Sequence, residues 1–245
     1  MPAGRLDHEE AMAYRKTGYV VIPDLLTSAE ADRFIEYEAG QSRELRGHLD
    51  NHKRDEEWRA VATHRNVIGV ARQILGSQPM IVQTMYLEKH PAQELQGTAL
   101  HQDTHYLPTD PNTLMACWLA LSDTDSENGG LCVLPGSHLM GLYPTHKATS
   151  TKDHQVWETE HLMRDRTGKE WKQVFYSFEI DGVDRSQIQC LKVPKGAGVF
   201  FTGMTVHGSY ANTSKNKVRR AFATHFVADG TWVLRADVQG IVPAQ

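Results

Sequence analysis

The hydrophobic rhythm of the chain changes near residue 79. Before that point apolar residues recur at helical spacing. Asp7 to Lys16 is rich in helix formers, and Gly18 just beyond it is a stop signal. Tyr19 to Ile22 then reads as a short strand. Thr27-Ser28-Ala29-Glu30 is a capping-box pattern, in which Thr27 caps the next helix and Glu30 reaches back. That helix is expected to run into the mid-forties and to bury Ala31, Phe34, Ile35 and Ala39, and Asn66 to Leu75, closed by Gly76, predicts another. Amphipathic stripes of this kind face a core, so these helices are expected to form a scaffold on the outside of a sheet.

From Pro79 the pattern turns to strands. Met80 to Leu87 is rich in β-formers and is followed by Pro91, and Ala92 to Gly97 reads as a polar loop leading into a strand that carries Leu100 to His105. Asp110-Pro111-Asn112 is a turn, after which Leu114 to Leu121 is a nearly continuous apolar strand, covered on both faces. Asn128-Gly129-Gly130 predicts a hairpin-like turn into Leu131 to Leu134, ended by Pro135-Gly136-Ser137-His138, and Ala197 to Thr202 is a further strand. Gly141 to Gln189 is the least patterned stretch. Its charges, Arg164, Asp165, Arg166, Lys169, Glu170 and Lys172, are interrupted by Trp157, Trp171, Phe175, Tyr176 and Phe178. Long insertions of this type are often lids or binding loops, whose basic residues either meet an anionic group or form a solvated surface. The layout expected is one domain over 1–245: a mainly helical flank at 1–78, then a β barrel or sandwich at 79–235 with a lid-like insertion at about 141–189.

Composition narrows the function classes. With 40% hydrophobic and 23% charged residues the chain is globular, and a net charge of -4 offers no basic footprint for nucleic acid. Nothing approaches the roughly 20 apolar residues of a membrane span, and Met1 to His8 lacks the apolar core of a signal peptide. Three cysteines, without metal-type spacing, indicate neither a disulfide framework nor a zinc ribbon, so a cytoplasmic, reducing setting is expected. Cys117 and Cys132 sit in apolar runs and read as buried free thiols.

The chemistry concentrates at Leu100-His101-Gln102-Asp103-Thr104-His105. On a strand, His101 and Asp103 point to the same side and can chelate one metal ion, with Gln102 pointing away. His207, just beyond the strand at 197–202, brings a second imidazole. Two imidazoles and one carboxylate on one face of a metal leave the opposite positions open, as in non-haem Fe(II) oxygenases. Among thirteen histidines an isolated H-x-D is weak by itself, and His105 shares the face of His101, so a His101/His105/His207 centre of cupin type stands as an alternative.

Taken in order, His101-Gln102-Asp103-x-His105-Tyr106, Cys117-Trp118-Leu119-Ala120-Leu121, Glu127-Asn128-Gly129-Gly130-Leu131, Val133 to His138, His207-Gly208-Ser209, Asn212 and Arg219-Arg220-Ala221 resemble the phytanoyl-CoA dioxygenase family, over about Tyr14 to Phe226. The resemblance implies a mainly β, double-stranded β-helix (jelly-roll, cupin-like) fold, with Fe(II), 2-oxoglutarate as cosubstrate and O2 as oxidant. It implies His101, Asp103 and His207 as iron ligands, Arg219 and Ser209 on the distal carboxylate of 2-oxoglutarate, and Trp118 lining the cosubstrate pocket. The interval 219 − 207 = 12 is one residue longer than in relatives, which keeps Arg220 as a fallback, although only one of the two can enter the barrel. Gln83 or Thr84 is expected to add a polar contact from a neighbouring strand, and Thr104, His105, Tyr106 and Arg164 to meet substrate. The implied reaction is hydroxylation of an unactivated C–H bond in a small metabolite, with 2-oxoglutarate and O2 yielding succinate and CO2. Related halogenases replace the carboxylate ligand by a small residue, so Asp103 argues against halogenation. A cupin-type enzyme that does not use 2-oxoglutarate and a non-catalytic jelly-roll binding protein are the competing classes.

Overall fold

The structure is a computed structural model that describes residues 4–41, 49–91, 97–148 and 156–244. Caps set the first elements. Helix α1 (His8–Thr17) starts at a reciprocal Asp7/Glu10 capping box and stops at Gly18, whose φ of 84° an L side chain rarely adopts. Strand β1 (Tyr19–Ile22) follows, and α2 (Ser28–Gly40) carries the expected Thr27/Glu30 box. The buried face of α2 is Ala31, Phe34 and Glu38, with Ile35 half-buried and Ala39 exposed, so the apolar stripe expected in its last turn is corrected. The reason is tertiary: Glu38 is buried because it accepts a hydrogen bond from the Trp58 indole of α3 (Glu56–Ala62). Continuation of α2 into the mid-forties falls at 42–48, outside the described residues. Helix α4 (Arg65–Leu75) ends at Gly76 with φ 65°.

The strands follow in chain order: β2 (Pro79–Lys89), β3 (Thr98–His101), β4 (Thr109–Asp110), β5 (Met115–Ala120) and β6 (Leu131–Val133). Next come β7 (Thr145–Lys147), β8 (Glu158–Arg164), β9 (Glu170–Tyr176), β10 (Phe178–Ile180) and β11 (Gln189–Cys190). The last are β12 (Gly198–Thr202), β13 (His207–Ser209), β14 (Arg219–Ala228), β15 (Trp232–Val233) and β16 (Val242–Pro243). Six of them form an antiparallel sheet in the order β1-β12-β5-β14-β2-β16, and four form a second in the order β11-β6-β13-β3. The fold is a mainly β jelly-roll.

Alternation along the central strands builds two cores. Ala116, Trp118, Ala120, Val199, Phe201, Ala221 and Ala223 face Leu131 and Val133 of the smaller sheet. Cys117, Leu119, Phe200 and Phe222 face the helices, where Phe34 packs edge-on to Phe222 at 5.3 Å and Trp58 lies 5.2 Å from Phe222.

Three expectations change. Asn128-Gly129-Gly130 does not close a hairpin, because β5 and β6 belong to different sheets and the turn carries the chain across. The strand holding the H-x-D motif stops at His101, and Asp103 opens a 3-10 turn (Asp103–His105). The insertion at 141–189 is stranded, with β8 and β9 pairing as a hairpin and β7 pairing with β10, while 149–155 lie outside the described residues. All three cysteines are free thiols, Cys117 and Cys132 being buried. Among the described residues no helix is long and apolar enough to cross a membrane.

Candidate active site

The smaller sheet puts two imidazoles side by side. His101 of β3 and His207 of β13 are cross-strand partners, with ring centroids 4.2 Å apart. Gln102 is still extended (φ -116°, ψ 127°), so the alternation from 101 to 103 holds into the turn and returns Asp103 to the face of His101. Gln102 itself points away, donating to the carbonyls of Gly141 and Met204 at 2.9 and 2.6 Å and accepting from the amide of Tyr143 at 2.9 Å. Oδ1 of Asp103 lies 3.4 Å from Nε2 of His101 and 3.6 Å from Nε2 of His207, and one ligand atom from each residue falls within 4.8 Å of the others.

The donor set fits a divalent first-row metal. Each histidine donates its Nδ1–H to a backbone carbonyl, His101 to Ala99 at 2.8 Å and His207 to Thr205 at 3.0 Å, which orients both rings with Nε2 towards the shared centre. Burial pushes the His207 pKa down to about 4, against the pull of Asp103, so its ring is neutral at pH 7 with a lone pair to give. Burial works against ionisation of Asp103, yet its electrostatic interaction with the His207 and His225 imidazoles and the hydrogen bonds from His101 and His225 hold it well below the usual carboxylate range. For His101 burial lowers the pKa, but its hydrogen bond to Asp103 and that carboxylate's charge outweigh this and raise it. His105 stands outside this cluster: its ring lies 4.9 Å from that of Phe178, and its Nε2 is buried with no hydrogen-bond partner among the described residues.

The larger sheet supplies cations. Arg219 and Lys89 are cross-strand partners on β14 and β2, and both are buried. The Arg219 guanidinium lies 5.8 Å from the centroid of the Trp118 ring and donates to the carbonyls of Gly129 and Leu87 at 3.2 and 3.3 Å. Lys89 Nζ donates to Ser209 Oγ at 2.8 Å and to the Tyr210 carbonyl at 2.6 Å. Arg220 faces the other way and pairs with Glu88 at 2.8 Å, so of the two adjacent arginines only Arg219 shares the inner face with Trp118.

Near His101 stands an aromatic wall. The Tyr106 ring is 5.8 Å from that of His101 and stacks on Phe178 at 4.8 Å and 22°. Trp157 adjoins Tyr106 at 5.3 Å, so the insertion contributes apolar rings to this side of the centre.

Comparison with known proteins agrees with this geometry. The family model described as phytanoyl-CoA dioxygenase matches residues 14–221. The chain belongs to the phytanoyl-CoA dioxygenase family. As a member it is a 2-oxoglutarate-dependent non-haem iron dioxygenase. The bovine peroxisomal phytanoyl-CoA dioxygenase is 26% identical over 249 residues, covering 90% of this chain and 68% of that protein. A Caenorhabditis briggsae homolog of phytanoyl-CoA dioxygenase domain-containing protein 1 is 33% identical over 150 residues, covering 60% of this chain and 46% of that one. The fold is shared with the non-haem α-ketoglutarate-dependent epimerase SnoN of nogalamycin biosynthesis, with TM-score 0.69, 19% identity and coverage of 92% of this chain and 84% of that one. It is shared also with the non-haem monooxygenase ThoJ, with TM-score 0.70, 21% identity and coverage of 94% and 83%.

Not every residue expected to serve this phytanoyl-CoA dioxygenase fold faces its centre. Thr84 looks outward, its hydroxyl 2.8 Å from Nδ1 of the buried His52, because alternation along β2 gives the inner face to its neighbour Gln83. Gln83 is buried, opposite His225 across the β2–β14 ladder. Thr104 is buried, and its backbone amide donates to the Gly203 carbonyl at 3.0 Å. Arg164 sits on the hairpin paired with Glu170 at 2.7 Å, and Lys172 pairs with Glu160 at 2.7 Å, so these cations are satisfied along the hairpin surface. Lys89 and His225 escaped the sequence reading. The signal was present: Lys89 falls in step with Gln83, Met85 and Leu87, and His225 with Arg219, Ala221 and Ala223.

Proposed function

We propose that the protein hydroxylates an unactivated C–H bond of a small metabolite. One observation carries the reading: two imidazoles and a retained carboxylate converge between the sheets of a fold whose inner face also holds a buried arginine beside a tryptophan. When bound, iron with 2-oxoglutarate and O2 supplies the oxidising chemistry, in which the cosubstrate leaves as succinate and CO2 and one oxygen atom passes to the substrate. The Nε2 atoms of His101 and His207 and Oδ1 of Asp103 hold the metal. Arg219 takes the distal carboxylate of the cosubstrate, for which its planar fork is suited, with Ser209 as a hydroxyl partner and Trp118 and Gln83 as lining. Ser209 is itself held by Lys89, which brings a second positive charge to that end of the pocket. Tyr106, Phe178 and Trp157 present flat apolar surface to the substrate and keep bulk water from the reacting carbon. An anionic group on the substrate would find Arg164 and Lys172 already paired, so the reading of substrate rests on the aromatic wall.

The test is an anaerobic titration of the protein with Fe(II) and then 2-oxoglutarate, followed by the weak visible charge-transfer band of the chelate. The band is expected in the wild type, to be lost in Asp103→Ala, and to need more cosubstrate in Arg219→Ala. Iron bound tightly with no band at any cosubstrate concentration overturns the reading. With substrate, hydroxylation requires a product heavier by one oxygen atom and one succinate per product.

A further inference from the structure

One residue outside the ligand set holds Asp103 more closely than either ligand does. His225 of β14 lies with Nε2 3.1 Å from Oδ2 of Asp103, while Oδ1 is the oxygen that faces His101 and His207 at 3.4 and 3.6 Å. The two oxygens are thus divided between different tasks. An ionised carboxylate only accepts, so the proton of this bond belongs to His225 Nε2. In the neutral ring Nδ1 is then an acceptor, and it is buried with no hydrogen-bond partner among the described residues. A fold that strands one nitrogen of a buried ring to place the other is holding that ring for its contact. The backbone serves the same end: β14 stays in regular register with β5 from Ala221 to Phe226, which keeps His225 on the inner face, and the irregularity in the β14–β2 ladder is taken up on β2, where Val82 is the extra residue.

We propose that His225 is a positioning residue that keeps Asp103 a one-oxygen ligand of the iron. A carboxylate free to rotate presents both oxygens and fills two coordination positions. With Oδ2 committed to His225 only Oδ1 remains, and the facing positions stay open for the cosubstrate and O2. The inference rests on the iron and 2-oxoglutarate reading above.

The test compares full-length His225→Leu, which removes the donor and the stranded acceptor together, with His225→Gln, whose amide nitrogen reaches about as far as Nε2. Melting temperature without metal, Fe(II) affinity by anaerobic equilibrium dialysis, and 2-oxoglutarate titration by the visible band are measured for each. His225→Leu is expected to melt within a few degrees of wild type, to bind Fe(II) about 10- to 100-fold more weakly, and to need at least about tenfold more 2-oxoglutarate for half of the band. His225→Gln is expected to recover most of both losses. Wild-type affinities in His225→Leu would overturn the proposal. So would equal impairment in the two variants with lowered melting temperatures, which assigns the ring to packing. If His225→Leu does not fold, His225→Asn, whose amide is too short to reach Oδ2, takes its place against His225→Gln. Absence of the band in the wild type strikes the underlying reading instead, and the ratio of Fe(II) affinities still decides the role of His225.

Discussion

The two faces of β14 are made for different work. Towards the helices the strand presents Arg220, Phe222 and Thr224, with Phe222 locked between Phe34 and Trp58. Towards the smaller sheet it presents Arg219, Ala221, Ala223 and His225: two polar groups separated by the smallest apolar side chains. Bulk on one face anchors the strand against the helices, and small side chains on the other let Trp118, Leu131 and Val133 pack close to it. Because strand side chains alternate strictly, a single ten-residue strand carries both functions without compromise between neighbours. Stability and ligand binding should therefore separate by the parity of the residue number.

The largest effect that can break this separation is on the outer face. Phe222→Ala is expected to cost about 3–5 kcal/mol of unfolding free energy in denaturant titration, while the fraction that remains folded binds Fe(II) as the wild type does. Weakened metal binding in the folded fraction would show that the faces are coupled. On the inner face, Arg219→Gln removes charge-assisted hydrogen bonds worth about 1.5–3 kcal/mol. The 2-oxoglutarate concentration for half-saturation should rise about 10- to 100-fold, with Fe(II) affinity unchanged by dialysis. The third effect is a pH dependence from the outer side of β2. Burial, with Lys53 and Arg59 nearby, lowers His52 from 6.5 to about 4, so the unfolded chain takes up the proton first. Its contribution to stability is complete above pH 6.5 and is lost as the pH falls towards 4, and melting curves across that window should flatten in His52→Gln. The smallest effect sharpens the comparison: Arg220→Gln breaks a half-buried pair with Glu88 and should cost less than about 1 kcal/mol, with no change in cosubstrate titration.

The sequence makes the helical layer and the central strands legible because each carries its own periodicity and caps. Thr27 and Glu30 cap α2 as their spacing predicts, and the apolar run at 114–121 is a strand buried on both faces. The polar signal at Asn128-Gly129-Gly130 marks a turn correctly but is silent on which strands it joins, since turn chemistry is local and a jelly-roll crossing is not. The charges of 141–189 dominate its composition, yet Arg164 and Lys172 pair with Glu170 and Glu160 across β8 and β9, and the residues that come near His101 are its aromatics. Burial of Glu38 beneath Trp58 is equally a tertiary event, invisible in the stripe of α2. His225 and Lys89 could have been found from strand parity alone, once Arg219 was set on the inner face.

Gln102 stands between His101 and Asp103, two of the proposed metal ligands, and ties them to segments 39 and 102 residues further along the chain. His225 reaches Asp103 across 122 residues. The site therefore has no local precursor. A growing chain that has passed Asp103 holds a histidine and a carboxylate but not the frame that aims them, and loops of this length must close before any of these contacts can form. The centre exists only once these long loops are closed, so a partly folded chain offers the metal only scattered and unselective donors.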